Sequence, residues 1–275
     1  MSTQATVQSQ FVTVDSLSTH YLEAGSGEPL LLLHGGEFGG SAELGWERNI
    51  DELAKHFRVI APDWLGYGQS AKVHDFVLGT RKMLLHLGRF CEELGITEAT
   101  FVGNSIAGSL LLSDAASDTP VLPAKKIVSV CGGGKINRNE HVDALFDYDG
   151  SVESMRQLLV ALFHGEQWND DPAYLARRHE ISLEPGAWEA VASARFRRPT
   201  APARTSSSAP SYEGIKIPTL IIEGQYDKLK PAGWAAEAAA PIPDARVVVI
   251  EDAGHCPQIE QPDRFHEVLL DFLRS

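Results

Sequence analysis

The stretch Ala99-Thr100-Phe101-Val102-Gly103-Asn104-Ser105-Ile106-Ala107-Gly108 decides the fold. Its first four residues read as a buried β-strand and the apolar run from Ile106 reads as a helix, so Ser105 falls where the chain must turn between them. A serine between small residues at such a turn holds its hydroxyl exposed at a helix N-terminus, and the small flanks let the turn pack without clashes. Ala107 stands where glycine is commoner, a small-for-small exchange that the same steric argument tolerates. The local pattern alone also fits a serine that merely caps a helix. Its weight comes from the strand before it and the helix after it.

Outward from this point, short β-rich runs alternate with helical patterns, the order of an α/β protein with a mostly parallel sheet and helices on both faces. Strands are predicted at Pro29–Leu33, Arg58–Ala61, Ala99–Val102, Ile127–Val130, Thr219–Ile222 and Arg246–Ile250. Phe11–Val14 and Thr19–Leu22, followed by Gly25-Ser26-Gly27, predict antiparallel strands at one edge. Helices are predicted around Trp46–His56, Leu78–Leu94, from Ile106, near Ala232–Ala240 and over Pro262–Leu273. From about Lys135 to Ser211 nothing reads as a strand; Met155, Leu158, Leu159 and Leu162, then Tyr174, Arg178 and Ile181, recur at helical spacing. This predicts a core of residues 1–134 and 212–275 and a helical lid with its linker at 135–211, the linker being Pro199-Thr200-Ala201-Pro202 and Ser206-Ser207-Ser208-Ala209-Pro210.

Composition narrows the function. The 275 residues are 43% hydrophobic and 22% charged, as in a globular domain able to bury its own core. Lys+Arg 24 against Asp+Glu 37 gives a net charge of −13, which repels phosphate backbones and anionic lipid, so neither nucleic acid nor a membrane is an expected partner. Cys91, Cys131 and Cys256 are odd in number and widely spaced, which suggests free thiols, no disulfide framework and no metal site. The first ten residues lack a signal-like pattern, and a cytoplasmic location is expected. The expected partner is a small molecule, with self-association into a homo-oligomer left open and no cofactor implied.

A serine hydroxyl needs a base, and the base needs an orienting group. Asp227 in Gly224-Gln225-Tyr226-Asp227 and His255 in Asp252-Ala253-Gly254-His255 each follow a predicted parallel strand, as Ser105 does. Open α/β sheets place their sites at such strand ends, and the chain order Ser, Asp, His fits. Asp252 is a rival acid, disfavoured because it lies too near His255 on the same loop. His34-Gly35-Gly36 follows another buried strand; its glycines let backbone approach a ligand, and the Gly36 and Ile106 amides are candidate oxyanion donors. His34 itself reads as structural. Gly132-Gly133-Gly134-Lys135 lacks the Ser or Thr and the spacing of a phosphate loop, and reads as a flexible lead into the insertion.

With HGG, APDWLGYGQS, GNSIAG, GQYD and GHCPQIEQP in this order, the chain resembles the α/β-hydrolases with a helical lid, nearly end to end. Within them it is most similar to the carbon–carbon bond hydrolases acting on 2-hydroxy-6-oxo-dienoate meta-cleavage products. Asn104, Asn49 in GWERNIDEL, SVESMRQLLVALFHG and LARRHEISLEPG carry that likeness. The resemblance implies that Asn104, Asn49 and Arg178 bind the polar end of the dienoate, with Gly35 and the residue after the histidine also at the substrate. Here that residue is Cys256, where the family usually has tryptophan, and Glu37-Phe38 replaces a small, glycine- and proline-containing stretch. Arg178 lies within an apolar stripe, which suits an inward-facing, paired charge. A carboxylesterase or lactonase, or a binding module with little turnover, are the alternatives.

Overall fold

The computed structural model describes residues 6–169, 171–196 and 211–275. Eight strands form one sheet: β1 (Gln8–Val14), β2 (Leu17–Gly25), β3 (Pro29–Leu33), β4 (Arg58–Pro62), β5 (Ala99–Asn104), β6 (Ala124–Val130), β7 (Thr219–Gly224) and β8 (Ala245–Ile250). Their spatial order is β1-β2-β4-β3-β5-β6-β7-β8. The pairs β1·β2 and β2·β4 are antiparallel and all others parallel, the mixed edge that the opening residues predict. The first hairpin turns on Asp15 and Ser16, both at positive φ, a two-residue connection whose twist matches its strands.

Along the chain the helices are α1 (Ala42–Trp46), α2 (Ile50–Leu53), α3 (Thr80–Glu93), α4 (Ile106–Ala115), α5 (Glu140–Phe146), α6 (Val152–Leu162), α7 (Glu166–Asn169), α8 (Pro172–Ser182), α9 (Ala187–Ser193), α10 (Trp234–Ala239), α11 (Pro257–Glu260) and α12 (Pro262–Arg274). Alternation along β3 divides the core: Leu31 and Leu33 pack with α3, α4 and α10, whereas Leu30 and Leu32 pack with α1, α2 and α12. Helices α5–α9 lie between β6 and β7 with no strand among the described residues, and they build a third apolar cluster from Met155, Leu158, Leu159 and Tyr174. The expected linker at 199–210 lies outside the described residues.

The single helix expected over Trp46–His56 is corrected to the short pair α1 and α2. Ser41 starts α1 early by accepting a hydrogen bond from the Leu44 amide at 3.2 Å. The break falls where the buried Asn49 side chain bonds the Gln258 carbonyl and His266 instead of continuing a solvent-facing helix. The glycine run also departs from expectation. Gly132 packs against the Ser105 carbonyl, which an added Cβ would approach to 2.4 Å, and the Gly133 and Gly134 amides are bonded to Ser109 and Tyr212. It is a packed crossing rather than a flexible lead.

Candidate active site

Strand β5 ends at Asn104, and α4 begins at Ile106, which leaves Ser105 alone to make the reversal, at φ 57° and ψ −118°. Small neighbours make this crossing feasible. A Cβ on Gly103 would come within 2.7 Å of the Ala107 backbone, and one on Gly108 within 2.3 Å of Ser129 Oγ. Ala107 itself is fully buried, so a methyl group is accommodated at the fifth position of the motif.

Two further loops meet Ser105. Asp227 follows β7 and His255 follows β8, and the loops touch so closely that a Cβ on Gly224 would lie 1.8 Å from the Gly254 carbonyl. His255 Nε2 stands 2.8 Å from Ser105 Oγ, and its Nδ1 stands 2.8 Å from Asp227 Oδ2. Burial alone would raise the Asp227 carboxyl; the imidazole charge and hydrogen bond outweigh it and hold the group below its ordinary range. An ionised Asp227 accepts a hydrogen bond from the Nδ1–H of His255, which in the neutral tautomer leaves the Nε2 lone pair facing the hydroxyl. Asp252 is exposed, with its backbone carbonyl bonded to Gln261 and its amide to Gln225, and takes no part in this line.

Ser105 and His255 open on a cavity of about 480 Å³, whose wall also includes Gly36, Ile106, Glu37 and Lys230. The N–H of Ile106 belongs to the first turn of α4, where amides have no intrahelical acceptor. Gly36 lies against the Ile106 side chain, and its carbonyl accepts from Tyr67 Oη at 2.8 Å, which leaves no room for a larger residue there. Both residues expected to supply oxyanion donors thus line the same cavity as Ser105.

The five other expected contacts, Gly35, Asn49, Asn104, Arg178 and Cys256, are buried off this wall. Asn104 donates to the carbonyls of Val130 and His255 and accepts from Cys256 Sγ, so it fixes the backbone that carries the imidazole. Burial raises the Cys256 thiol well above its ordinary value and keeps it a protonated donor. Asn49 bonds Gln258 and His266, beneath the same loop. Arg178 is the paired inward charge that its stripe implied: Nη2 donates to Glu37 Oε1 at 2.6 Å, Nε to the Phe38 carbonyl and Nη1 to Tyr174 Oη. Burial pushes Glu37 up, but the guanidinium charge and hydrogen bond outweigh this and keep it below the usual carboxylate range. Gly35 passes so close to Glu37 that an added Cβ would sit 2.2 Å from the carboxylate.

His34 is structural, as read from the sequence: Nδ1 faces the Gly35 carbonyl at 2.6 Å and Nε2 accepts from the Trp64 amide, while burial lowers its pKa and keeps it neutral. One grouping among the described residues, Cys131 with Asp227 and His255, brings three possible ligand atoms within 4.8 Å. Burial raises the Cys131 thiol well above its ordinary value, and the facing Nδ1 and Oδ2 atoms of the other two bond each other. Sequence reasoning missed Glu260, whose carboxylate binds the His164, Gly165 and Gly254 amides and ties the insertion to the histidine loop. It also missed Lys230, for which the only signal is a charged residue three positions after Asp227.

Comparison with known proteins agrees with this architecture. The family profile described as alpha/beta hydrolase fold matches residues 28–262. The 2-hydroxymuconate semialdehyde hydrolase of Pseudomonas sp. (strain CF600) is 32% identical over 94% of this chain and 90% of its own. The 2-hydroxy-6-oxo-6-(2'-aminophenyl)hexa-2,4-dienoic acid hydrolase of Metapseudomonas resinovorans is 29% identical over 96% and 90%. Among solved structures, the meta-cleavage product hydrolase from Pseudomonas fluorescens IP01 superposes with a TM-score of 0.84 at 27% identity, covering 96% of this chain and 97% of that one. Sheet order, serine turn and these full-length matches together make the chain a hydrolase of the alpha/beta hydrolase fold family, related most visibly to the meta-cleavage product hydrolases.

Proposed function

We propose that this hydrolase cleaves a carbon–carbon bond in a 2-hydroxy-6-oxo-dienoate type of meta-cleavage product, with Ser105, His255 and Asp227 as its catalytic triad. The observation that carries the reading is the hydrogen-bonded line from Asp227 through His255 to Ser105, opening on a cavity of about 480 Å³. His255 shuttles protons while the dienol becomes its keto form. The distal carbonyl is then attacked by Ser105, or by a water that His255 deprotonates, and the resulting oxyanion faces the Gly36 and Ile106 amides. The bond breaks to expel a dienolate, whose charge is delocalised onto oxygen and which is protonated to a 2-hydroxydienoate; where Ser105 is the nucleophile, water activated by His255 then hydrolyses the acyl-serine, so that either route yields a carboxylic acid. Helices α5–α9 serve as the lid: Val142, Leu145, Leu162 and Val191 from this segment line the same cavity as the serine. The full-length likeness to hydrolases of this class supports the choice of bond.

A second reading, hydrolysis of a small ester or lactone by the same triad, is favoured by one observation. Glu37 already occupies the Arg178 guanidinium that the family resemblance assigns to the dienoate. Purified protein given 2-hydroxy-6-oxo-6-phenylhexa-2,4-dienoate and short p-nitrophenyl esters separates the two. Rapid loss of the dienoate colour supports carbon–carbon cleavage; fast ester turnover with an inert dienoate rejects it. In either case Ser105→Ala should lower kcat by at least about 10³-fold, and undiminished turnover would remove the nucleophile assignment.

A further inference from the structure

The cavity carries its charges unevenly. Glu37 follows β3 and Lys230 follows β7, and in the sheet order these strands stand three places apart, with β5 and its Ser105 between them. At about 4.8 Å per strand, the two ends are separated by roughly 14 Å. At the β3 end the Glu37 carboxylate is ionised, and Arg178, which lies off the cavity wall, gives three of its five N–H donors to Glu37, Phe38 and Tyr174. An incoming carboxylate meets a like charge there. Arg195 belongs to this same end, with its guanidinium carbon 4.6 Å from the centroid of Phe38 and Nη2 donating to the Leu145 carbonyl.

Lys230 differs. It is 9% exposed and lines the cavity among apolar neighbours such as Leu229, Ile106 and Ile136. Its ammonium donates to the Gly133 carbonyl and lies 4.8 Å from the centroid of the Trp234 ring. One carbonyl and one aromatic face do not use up three N–H donors. Gly133 in turn donates its amide to Ser109 Oγ, which bonds the Ser105 carbonyl, so the ammonium is connected to the serine turn through two residues. Burial lowers the Lys230 pKa, partly offset by Asp227, whose carboxylate is committed to His255. A cation held this way in a nearly dry wall gains most from a ligand anion, which restores the charge pairing that desolvation removed.

We propose that Lys230 is the carboxylate-binding residue of this cavity, and that the substrate carries its carboxylate on the β7 side of Ser105 rather than at Arg178. The inference rests on the cavity being the substrate site and adds a substrate class to it: acids whose anionic group lies towards Lys230 from the scissile bond.

Benzoate and benzamide, of nearly equal shape and differing in charge, test it by calorimetric titration at pH 7. The unaltered protein should bind benzoate at least about tenfold more tightly than benzamide, Lys230→Met should reduce that ratio to less than about threefold, and Lys230→Arg should restore most of it. Arg195→Met should keep the preference. Should Lys230→Met fail to fold, Lys230→Gln, which keeps a donor for the Gly133 carbonyl, is read in the same way. The proposal is overturned if the unaltered protein shows no preference, if the preference survives in the Lys230 variant, or if it disappears in Arg195→Met. Neither probe has a bond for Ser105 to cleave, so this outcome is separate from the proposed reaction, whose failure would appear as an inert dienoate beside fast ester turnover.

Discussion

Ser105 at φ 57° occupies a backbone region that costs a non-glycine residue about 1–3 kcal/mol, and the surrounding packing holds it there. Ser105→Gly should therefore raise stability by about 1 kcal/mol in urea unfolding, since relieved strain exceeds the entropy that glycine loses on folding, while turnover disappears. An unchanged or lower midpoint would contradict this. Glu37 makes the opposite kind of contribution. Glu37→Gln leaves the Arg178 charge buried with a neutral partner, and a loss of about 3 kcal/mol is expected. The pair also has a pH signature. The folded Glu37 pKa lies below its ordinary value of 4.5, so its stabilisation is complete above that pH and disappears as pH falls through the folded value. The gap in Tm between the unaltered protein and Glu37→Gln should close as pH is lowered from neutral through the folded Glu37 value. A gap constant with pH would mean that the carboxylate charge contributes nothing.

Among the elements, those facing the two main cores were legible and those governed by distant side chains were not. Strand β5, the serine turn and α4 follow from a buried apolar run, small flanks and a helical run, all local signals. Asp227 and His255 were legible for a related reason, since strand-end position is a topological property that the alternation of elements already contains. The break between α1 and α2 depends on Asn49 reaching Gln258 and His266, more than 200 residues away in the chain, and no local pattern reports it. The Glu37–Arg178 pair is likewise non-local: each residue was noticed, but the hydrogen bond that turns Arg178 away from the cavity exists only after folding. Glu260 illustrates the same limit on α11, where one carboxylate serves three amides from two separate segments. Glu260→Ala should lower stability by about 2–3 kcal/mol, because buried amides lose their acceptor, and should speed hydrogen exchange at residues 164–165 and 254. Unchanged exchange at these amides would show that the carboxylate does not secure them.

Over the whole molecule, the parallel sheet delivers loops from β3, β5, β7 and β8 to one rim, and residues of the segment between β6 and β7 line the same cavity. No helix among the described residues is long and apolar enough to cross a membrane. The acidic balance of −13 makes long-range attraction of an anionic substrate unfavourable, so a local cation inside the cavity has the more to do in recognition. The His255 peptide is held from both sides: its N–H donates to the Leu162 carbonyl of α6 at 2.7 Å, and its carbonyl accepts from Asn104 beneath. Any swing of α6 that admits or releases a ligand must strain or sever the first of these links, and with it the alignment of the imidazole. The helix that carries Leu162 and the loop that carries His255 are thereby coupled, and displacing the one disturbs the ring orientation set by the other.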